Sequence, residues 1–363
     1  MLINDTTYAY NLRGAIIREL IKNNYEVIVV GQILKHKDKL ENIGVRLVNI
    51  DVERHSTNPL SDLMLLNKYV NILKLEKPNV VLTYNIKPNV YGGIACKKLG
   101  IPYISNVTGL GTPVENPGPL QLITTKLYKL GVSGAKFVFF QNKENQLFFK
   151  THGMISKSSK TNLLPGSGVD LHEHPILEYP DQDLVNFQFT SRILKEKGID
   201  LYLKAAKIIQ KKYRNTVFHV CGGCDDQKYL KILEEAENEG YIIYHGQQKD
   251  MTPFLKQASC IVHPSYYPEG MSNVLLEGAA SARPIIATNR SGCKETVDDG
   301  VTGFLIPIKD ESSLIEAIEK FLHLTNNQRK EMGLAGRRKM ENEFDRQIVV
   351  NAYMEAIREI EGV

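Results

Sequence analysis

Residues 264–288 read PSYYPEGMSNVLLEGAASARPIIAT, and the fold follows from how this stretch is parsed. The apolar run Ile261-Val262 ends at Pro264, and Tyr266-Tyr267-Pro268-Glu269-Gly270 is turn-like. Ser272 stands where a helix cap belongs, before the apolar spacing Val274, Leu275, Gly278, Ala279, Ala282. Arg283-Pro284 stops that helix, and Ile285-Ile286-Ala287 reads as a short buried strand. Loop, helix and buried strand in this order are one unit of an α/β fold. Glu269 then lies just outside a helix N-terminus and Glu277 on its second turn, with seven residues between them. Free N–H groups and the positive helix end between two carboxylates suit a phosphate-bearing ligand with sugar hydroxyls.

Outward from this stretch the alternation is regular. Toward the N-terminus, strands are expected at Tyr25 to Val30, Val45 to Ile50, Val80 to Tyr84, Pro102 to Val107 and Phe137 to Phe140. Helices are expected at Asn11 to Ile21, Leu60 to Leu75, Pro88 to Leu99 and Lys143 to Lys150. Met1-Leu2-Ile3 reads as the tail of a strand whose start is missing, and Asn4 to Tyr8 as a polar loop. The acidic, loop-rich stretch His172 to Asp183 reads as a connection, after which Val185 to Thr190 restarts the pattern. The expected architecture is two doubly wound, Rossmann-like α/β domains facing across a cleft, with ligands beyond the carboxyl ends of the strands. The boundaries are set at 1–170 and 171–345, with 346–363 a helix that packs back on the N-terminal domain.

The chain has 363 residues, 42% hydrophobic and 24% charged, as in a soluble globular protein of two ordinary domains. No stretch has the length of a membrane span, and no basic-then-apolar leader opens the chain. Five Cys, an odd number set partly in apolar runs, read as reduced cytoplasmic thiols. The net charge of +4 hides an asymmetry: residues up to about 165 carry an excess of roughly ten positive charges. That suits an anionic membrane surface or a diphosphate-linked substrate; no nucleic-acid recognition motif is present. Between Pro119 and Phe140, Leu120, Leu122, Ile123, Leu127, Tyr128, Leu130 and Val132 form an apolar stripe beside Lys126, Lys129 and Lys136. It reads either as an interfacial helix on an anionic membrane or as a core-facing helix with solvated lysines.

Chemistry is expected at the crevice loops. In the first half these are Asn4 to Tyr10, Asn85 to Asn89 and Thr108-Gly109-Leu110-Gly111-Thr112, whose glycines let backbone approach a ligand. In the second half Arg192, Lys195 and Lys197, closed by Gly198, follow a strand end. Arg192 can grip two diphosphate oxygens while Lys197 acts as a point charge. Cys221-Gly222-Gly223-Cys224 lacks a second ligand pair and reads as a strand end, and Asp225-Asp226 as a helix cap. His219, His245 and His263 read as satisfied core residues, and none stands out as a general base.

With these residues in view, SRILKEKGIDLYLKAA resembles the diphosphate-binding turn of the GT-B glycosyltransferases of family 4. PSYYPEGMSNVLLEGAASARPIIAT is similar to that family's E-x7-E segment, and SGCKETVDDGVTGFLI to the stretch after it. NVTGLG followed by a Lys-rich apolar helix resembles bacterial members that extend undecaprenyl-diphosphate-linked glycans for capsule, O-antigen or protein glycosylation. The resemblance implies a retaining, metal-independent transferase with no cofactor, whose donor substrate is a UDP-sugar. Arg192 and Lys197 would hold the donor diphosphate, Glu277 the ribose hydroxyls, and Glu269 would sit near the reacting carbon of the sugar. Backbone N–H groups at Gly270, Met271, Ser272 and Asn273 would bind donor oxygens, and the uracil would lie by Gly246, Gln247 and Gln248. The acceptor side would include Thr108, Gly109 and Gly111. Many relatives carry a His after a strand of the first domain, where this chain has Asn106-Val107-Thr108-Gly109. The other readings are a non-hydrolysing UDP-sugar 2-epimerase, and a nucleotide-sugar-binding protein without turnover.

Overall fold

Asp5 ends the first strand and starts the first helix. Its carboxylate accepts from the Thr7 and Tyr8 N–H groups at 2.8 and 3.1 Å, so the helix runs Thr6–Lys22. The polar loop expected over Asn4 to Tyr8 is therefore a strand end and a capped first turn. The computed structural model describes residues 1–51, 58–110, 114, 118–180 and 183–362.

These residues form two compact units. The first comprises Met1–Gly168, Pro268–Met271 and Arg346–Val363, and the second Val169–Tyr267 and Ser272–Asp345. In the first, the strands are β1 (Leu2–Asp5), β2 (Ile28–Gln32), β3 (Arg46–Asn49), β4 (Val81–Tyr84), β5 (Tyr103–Val107), β6 (Phe137–Phe140) and β7 (Lys160–Leu163). They pair in parallel in the order β3-β2-β1-β4-β5-β6-β7. In the second, β8 (Val185–Thr190), β9 (Thr216–Cys221), β10 (Ile243–Tyr244), β11 (Cys260–His263), β12 (Ile285–Thr288) and β13 (Gly303–Ile306) pair in parallel as β10-β9-β8-β11-β12-β13. Each sheet reverses its winding once, between β1 and β4 and between β8 and β11, where doubly wound sheets open a crevice.

Two further expectations shift. The strand placed at Tyr25 to Val30 is Ile28–Gln32 and includes Gly31, where a Cβ would stand 2.4 Å from Ile3 O; β1 and β2 touch too closely there for a side chain. The strand expected over Tyr241 to Tyr244 shortens to Ile243–Tyr244, because Glu239 and Gly240 still close the preceding helix. A one-and-a-half-turn helix, Lys37–Asn42, also escaped the periodic reading.

The Pro119–Val132 helix divides its stripe between two environments. Tyr128, Gly131 and Val132 are buried, while Leu120, Leu122, Ile123 and Leu130 are 49–63% exposed. Its buried end meets the Pro88–Leu99 segment backbone to backbone: a Cβ on Gly93 would lie 2.0 Å from Gly131 O. The helix Arg346–Glu361 buries Val349, Val350, Tyr353, Met354 and Ile357 in the first unit. Tyr353 sits edge-on to Phe139 with centroids 4.9 Å apart, and its hydroxyl accepts from Asn106 Nδ2 at 2.6 Å.

Gly93→Ala should destabilise the protein by about 1–3 kcal/mol, since the helix must move off Gly131 to admit a methyl group. Urea denaturation read by far-UV circular dichroism measures it; an unchanged midpoint would show that the two segments separate freely.

Candidate functional site

In the second unit the loops after β8, β9 and β11 are tied together by main-chain contacts. Ser191 N donates to Cys221 O at 3.0 Å and Ile193 N to Gly223 O at 2.9 Å. Gly222 has φ +155°, and a Cβ there would stand 1.7 Å from Ser191 O. Gly198 has φ +80°, and a Cβ would stand 2.2 Å from Pro264 O. Both positions need glycine twice over, for the backbone angle and for the approach. The result fixes Arg192, exposed just past β8, and Lys197, which closes a 3-10 turn Lys195–Lys197. Tyr266 N donates to Glu196 O at 2.8 Å, and Lys197 Nζ stands 4.8 Å from the centre of the Tyr267 ring.

The helix Asn273–Ala280 begins beside this edge and rests on β11 through Gly278, where a Cβ would come within 2.9 Å of Ile261 Cγ1. Ser272 occupies the cap position, as expected, but its side chain makes no capping bond to the helix. Its hydroxyl instead meets His263 Nε2 at 3.3 Å. Glu277 is half-buried on the second turn. Gly246 follows β10 with φ +65° and accepts from Gly222 N at 2.8 Å, and the Gln247 side chain lies over Gly223. Arg192, Lys197, Gly246, Gln247, Ser272, Asn273 and Glu277 thus all belong to the second unit.

Glu269, Gly270 and Met271 belong to the first unit. A Cβ on Gly270 would lie 2.2 Å from Gln141 Oε1 and 2.3 Å from Thr108 O, and one on Gly109 would lie 3.3 Å from Pro268 O. Asn142 Nδ2 donates to Gly270 O at 2.9 Å and to Glu269 O at 3.3 Å, while Asn142 Oδ1 caps the helix Lys143–Thr151. The backbone carrying Glu269 therefore rests on the carboxyl ends of β5 and β6, with Thr108 and Gly109. Gly111 and Thr112 lie outside the described residues. The sequence reading passed over Gln141 and Asn142. Their signal was a polar pair directly after the apolar strand Phe137–Phe140, at a helix start.

The buried histidines are uncharged. Burial, then the field of Lys197, pushes His263 down to about 3. Burial, then His245, pushes His219 down to about 4, and burial also lowers His245. His219 Nδ1 faces His245 Nε2 at 3.0 Å, and His219 Nε2 faces Asn186 Oδ1 at 3.1 Å. Cys96, Cys221, Cys260 and Cys293 are buried and Cys224 is half-buried, and none of the five is in a disulfide. Among the described residues no three His, Cys, Asp or Glu side chains gather as a metal set.

Residues 180–339 match the family of glycosyl transferases group 1, and residues 1–142 match the glycosyl transferase 4-like family. The chain is a glycosyltransferase with a 4-like domain followed by a group 1 domain. Among curated relatives of this glycosyltransferase, an N,N'-diacetylbacillosaminyl-diphospho-undecaprenol alpha-1,3-N-acetylgalactosaminyltransferase of Campylobacter jejuni is 26% identical over 86% of each chain. The capsular polysaccharide biosynthesis glycosyltransferase CapM of Staphylococcus aureus is 25% identical over 97% of this chain and 95% of its own. Among solved structures, Anabaena HepE in complex with UDP and glucose superposes with TM-score 0.80 at 16% identity, over 99% of this chain and 98% of that one. The fold is GT-B, built of two parallel-sheet, Rossmann-like units.

The neutral histidines set an acid limit for the glycosyltransferase. In the unfolded chain they titrate near 6.5, so between pH 6.5 and about 4 the unfolded state binds more protons. Stability is full above pH 6.5 and falls as the pH drops, by up to about 1.4 kcal/mol per pH unit for each histidine. His219→Gln should flatten this decline between pH 7 and 5 in urea titrations; equal declines in both proteins would assign the acid loss to other groups.

Proposed function

We propose that this glycosyltransferase is a retaining, metal-independent enzyme that moves a hexose or N-acetylhexosamine from a UDP-sugar to a polyprenyl-diphosphate-linked glycan in surface-polysaccharide synthesis. The observation that carries the reading is the edge of the second sheet at β8 and β11. There Arg192 and Lys197 follow β8, next to the strand β11 that leads to a helix whose cap residue, Ser272, makes no side-chain bond to its first turn. The relative from Campylobacter jejuni, by its name, acts on a diphospho-undecaprenol-linked sugar, which supports the acceptor class. In this reading residues 171–345 bind the donor, residues 1–170 bind the acceptor, and the helix in 346–363 completes the acceptor domain.

Arg192 would take two oxygens of the donor diphosphate and Lys197 a third, with the N–H groups of Gly270, Met271 and Asn273 meeting donor oxygens; the Ser272 N–H, expected among them, is instead held by Gly292 O at 2.8 Å. Glu277 would accept from the ribose hydroxyls, and Gly246 and Gln247 would lie against the uracil. The bond between the anomeric carbon and the phosphate oxygen breaks with its electron pair leaving on UDP. Fixed positive groups stabilise that charge as it grows, which is the main catalytic task. Glu269 would stabilise the positive charge on the sugar ring, and the acceptor hydroxyl, on the Thr108-Gly109 side, attacks from the face UDP leaves. Its proton passes to the departing phosphate, so no side-chain base is required.

Glu269→Ala should lower UDP release from UDP-sugar plus lipid-linked acceptor by about 100-fold or more while UDP still binds. A variant that turns over like the parent would remove Glu269 from the chemistry; a parent that releases UDP from no donor in a panel would favour a binding protein.

We also propose that the enzyme works at the inner face of the bacterial membrane. Leu120, Leu122, Ile123 and Leu130 are exposed beside the exposed Lys126 and Lys129, an apolar face with positive flanks. No described helix is long and apolar enough to cross a bilayer. Flotation with anionic liposomes should weaken when Lys126 and Lys129 both become Glu; unchanged flotation would remove this face from the contact.

A further inference from the structure

His263 ends β11 and is 1% exposed, and the reaction just described gives it no part. Its Nε2 lies 3.3 Å from Ser272 Oγ, while its Nδ1 has no hydrogen-bond partner among the described residues. Ser272 has the residue type and the extended backbone, φ −83° and ψ 106°, of a helix cap. Such a serine normally accepts from an N–H of the first turn. Here that bond is absent, although Asp5, Asn142, Asp226 and Asp310 each make it at their own helices. The rest of Ser272 is spoken for: its N–H donates to Gly292 O at 2.8 Å, and its carbonyl receives Leu275 and Leu276 N–H at 3.2 Å. Only the hydroxyl had a choice between the helix and the imidazole.

We propose that His263 is a positioning residue for the nucleotide-sugar donor, holding the Ser272 hydroxyl away from the first turn so that the N–H groups there remain available to the diphosphate. This rests on the donor reading above and deepens it, by naming what keeps the anion donors open. Burial and Lys197 keep the ring uncharged at neutral pH, so it serves as a hydrogen-bond partner and leaves the cationic work to Lys197 and Arg192. Either tautomer engages the hydroxyl, as donor or as acceptor. Without the imidazole, the hydroxyl swings onto the first turn and forms the ordinary cap. A diphosphate must then displace a bond that the chain itself supplies.

The test is titration calorimetry of the full chain with UDP and with uridine. His263→Leu should weaken UDP about tenfold and leave uridine unchanged, because uridine carries no phosphate to compete with the cap. His263→Gln, whose amide reaches Ser272, should bind UDP like the parent. Ser272→Ala added to His263→Leu should restore UDP affinity, since no hydroxyl remains to close the cap. A purely structural His263 would lose uridine together with UDP, and removing a second buried group would not rescue it. Unchanged UDP affinity in His263→Leu, or a loss that Ser272→Ala does not repair, overturns the proposal. Should the leucine variant not fold, His263→Asn, too short to reach Ser272, takes its place with the same expected loss and rescue. A parent chain that binds no UDP strikes the donor reading itself, an outcome distinct from the failure of His263 alone.

Discussion

A side chain at Gly222 would overlap Ser191 O, and one at Gly198 would overlap Pro264 O. The loops that follow β8, β9 and β11 are thus stacked main chain on main chain, without any side chain as spacer. The rest of this edge of the second unit depends on that constraint. It fixes where Arg192 leaves the sheet, how the Lys195–Lys197 turn closes, and how Tyr266 and Tyr267 come to lie against lysines. A spacer of even one methyl group would part the loops, and the cations would separate with them. The first unit uses the same device at Gly270, set against Thr108 and Gln141.

Charge is distributed by the same logic. The cations Arg192 and Lys197 are exposed or half-exposed, where an anion can reach them, whereas His219 and His263 are enclosed and neutral. An enclosed imidazolium would need a partner to offset its desolvation, and among the described residues no carboxylate acts on either ring. The edge thereby sets accessible cations over enclosed, uncharged rings. In the proposed reaction that combination would favour the departing diphosphate, whose charge grows while the dipoles around it stay fixed.

Much of this was legible in the chain. The punctuation of residues 264–288 by Pro264, Gly270 and Pro284 separates β11, the Asn273–Ala280 helix and β12 without ambiguity. The apolar runs Phe137–Phe140, Ile261-Val262 and Ile285-Ile286-Ala287 announce strands of a sheet covered on both faces. What escaped the reading has physical reasons. Asn4-Asp5-Thr6-Thr7 is polar enough to pass for a loop, yet polarity is also what caps a helix, and only the geometry of Asp5 decides between them. Gly31 weakens the local strand pattern because its role, admitting Ile3 O, lies 28 residues upstream. Likewise nothing around Glu269 reveals that its backbone is held by Asn142, a partner 127 residues away in the chain. His263 reads as core by every local measure, and its partner Ser272 reads as an ordinary cap; the departure exists only in their pairing.

The helix Arg346–Glu361 fills the first unit's apolar face around Tyr84, Ile104 and Phe139, and it is latched at the rim by Tyr25 to Glu361 and Lys160 to Glu359. Ribosomal synthesis runs from the N-terminus, so the β1–β7 sheet is made long before this cover exists. While the second unit is being translated, a greasy surface of the first waits uncovered, exposed to chance association. Truncation ahead of Tyr353 would make that temporary state permanent.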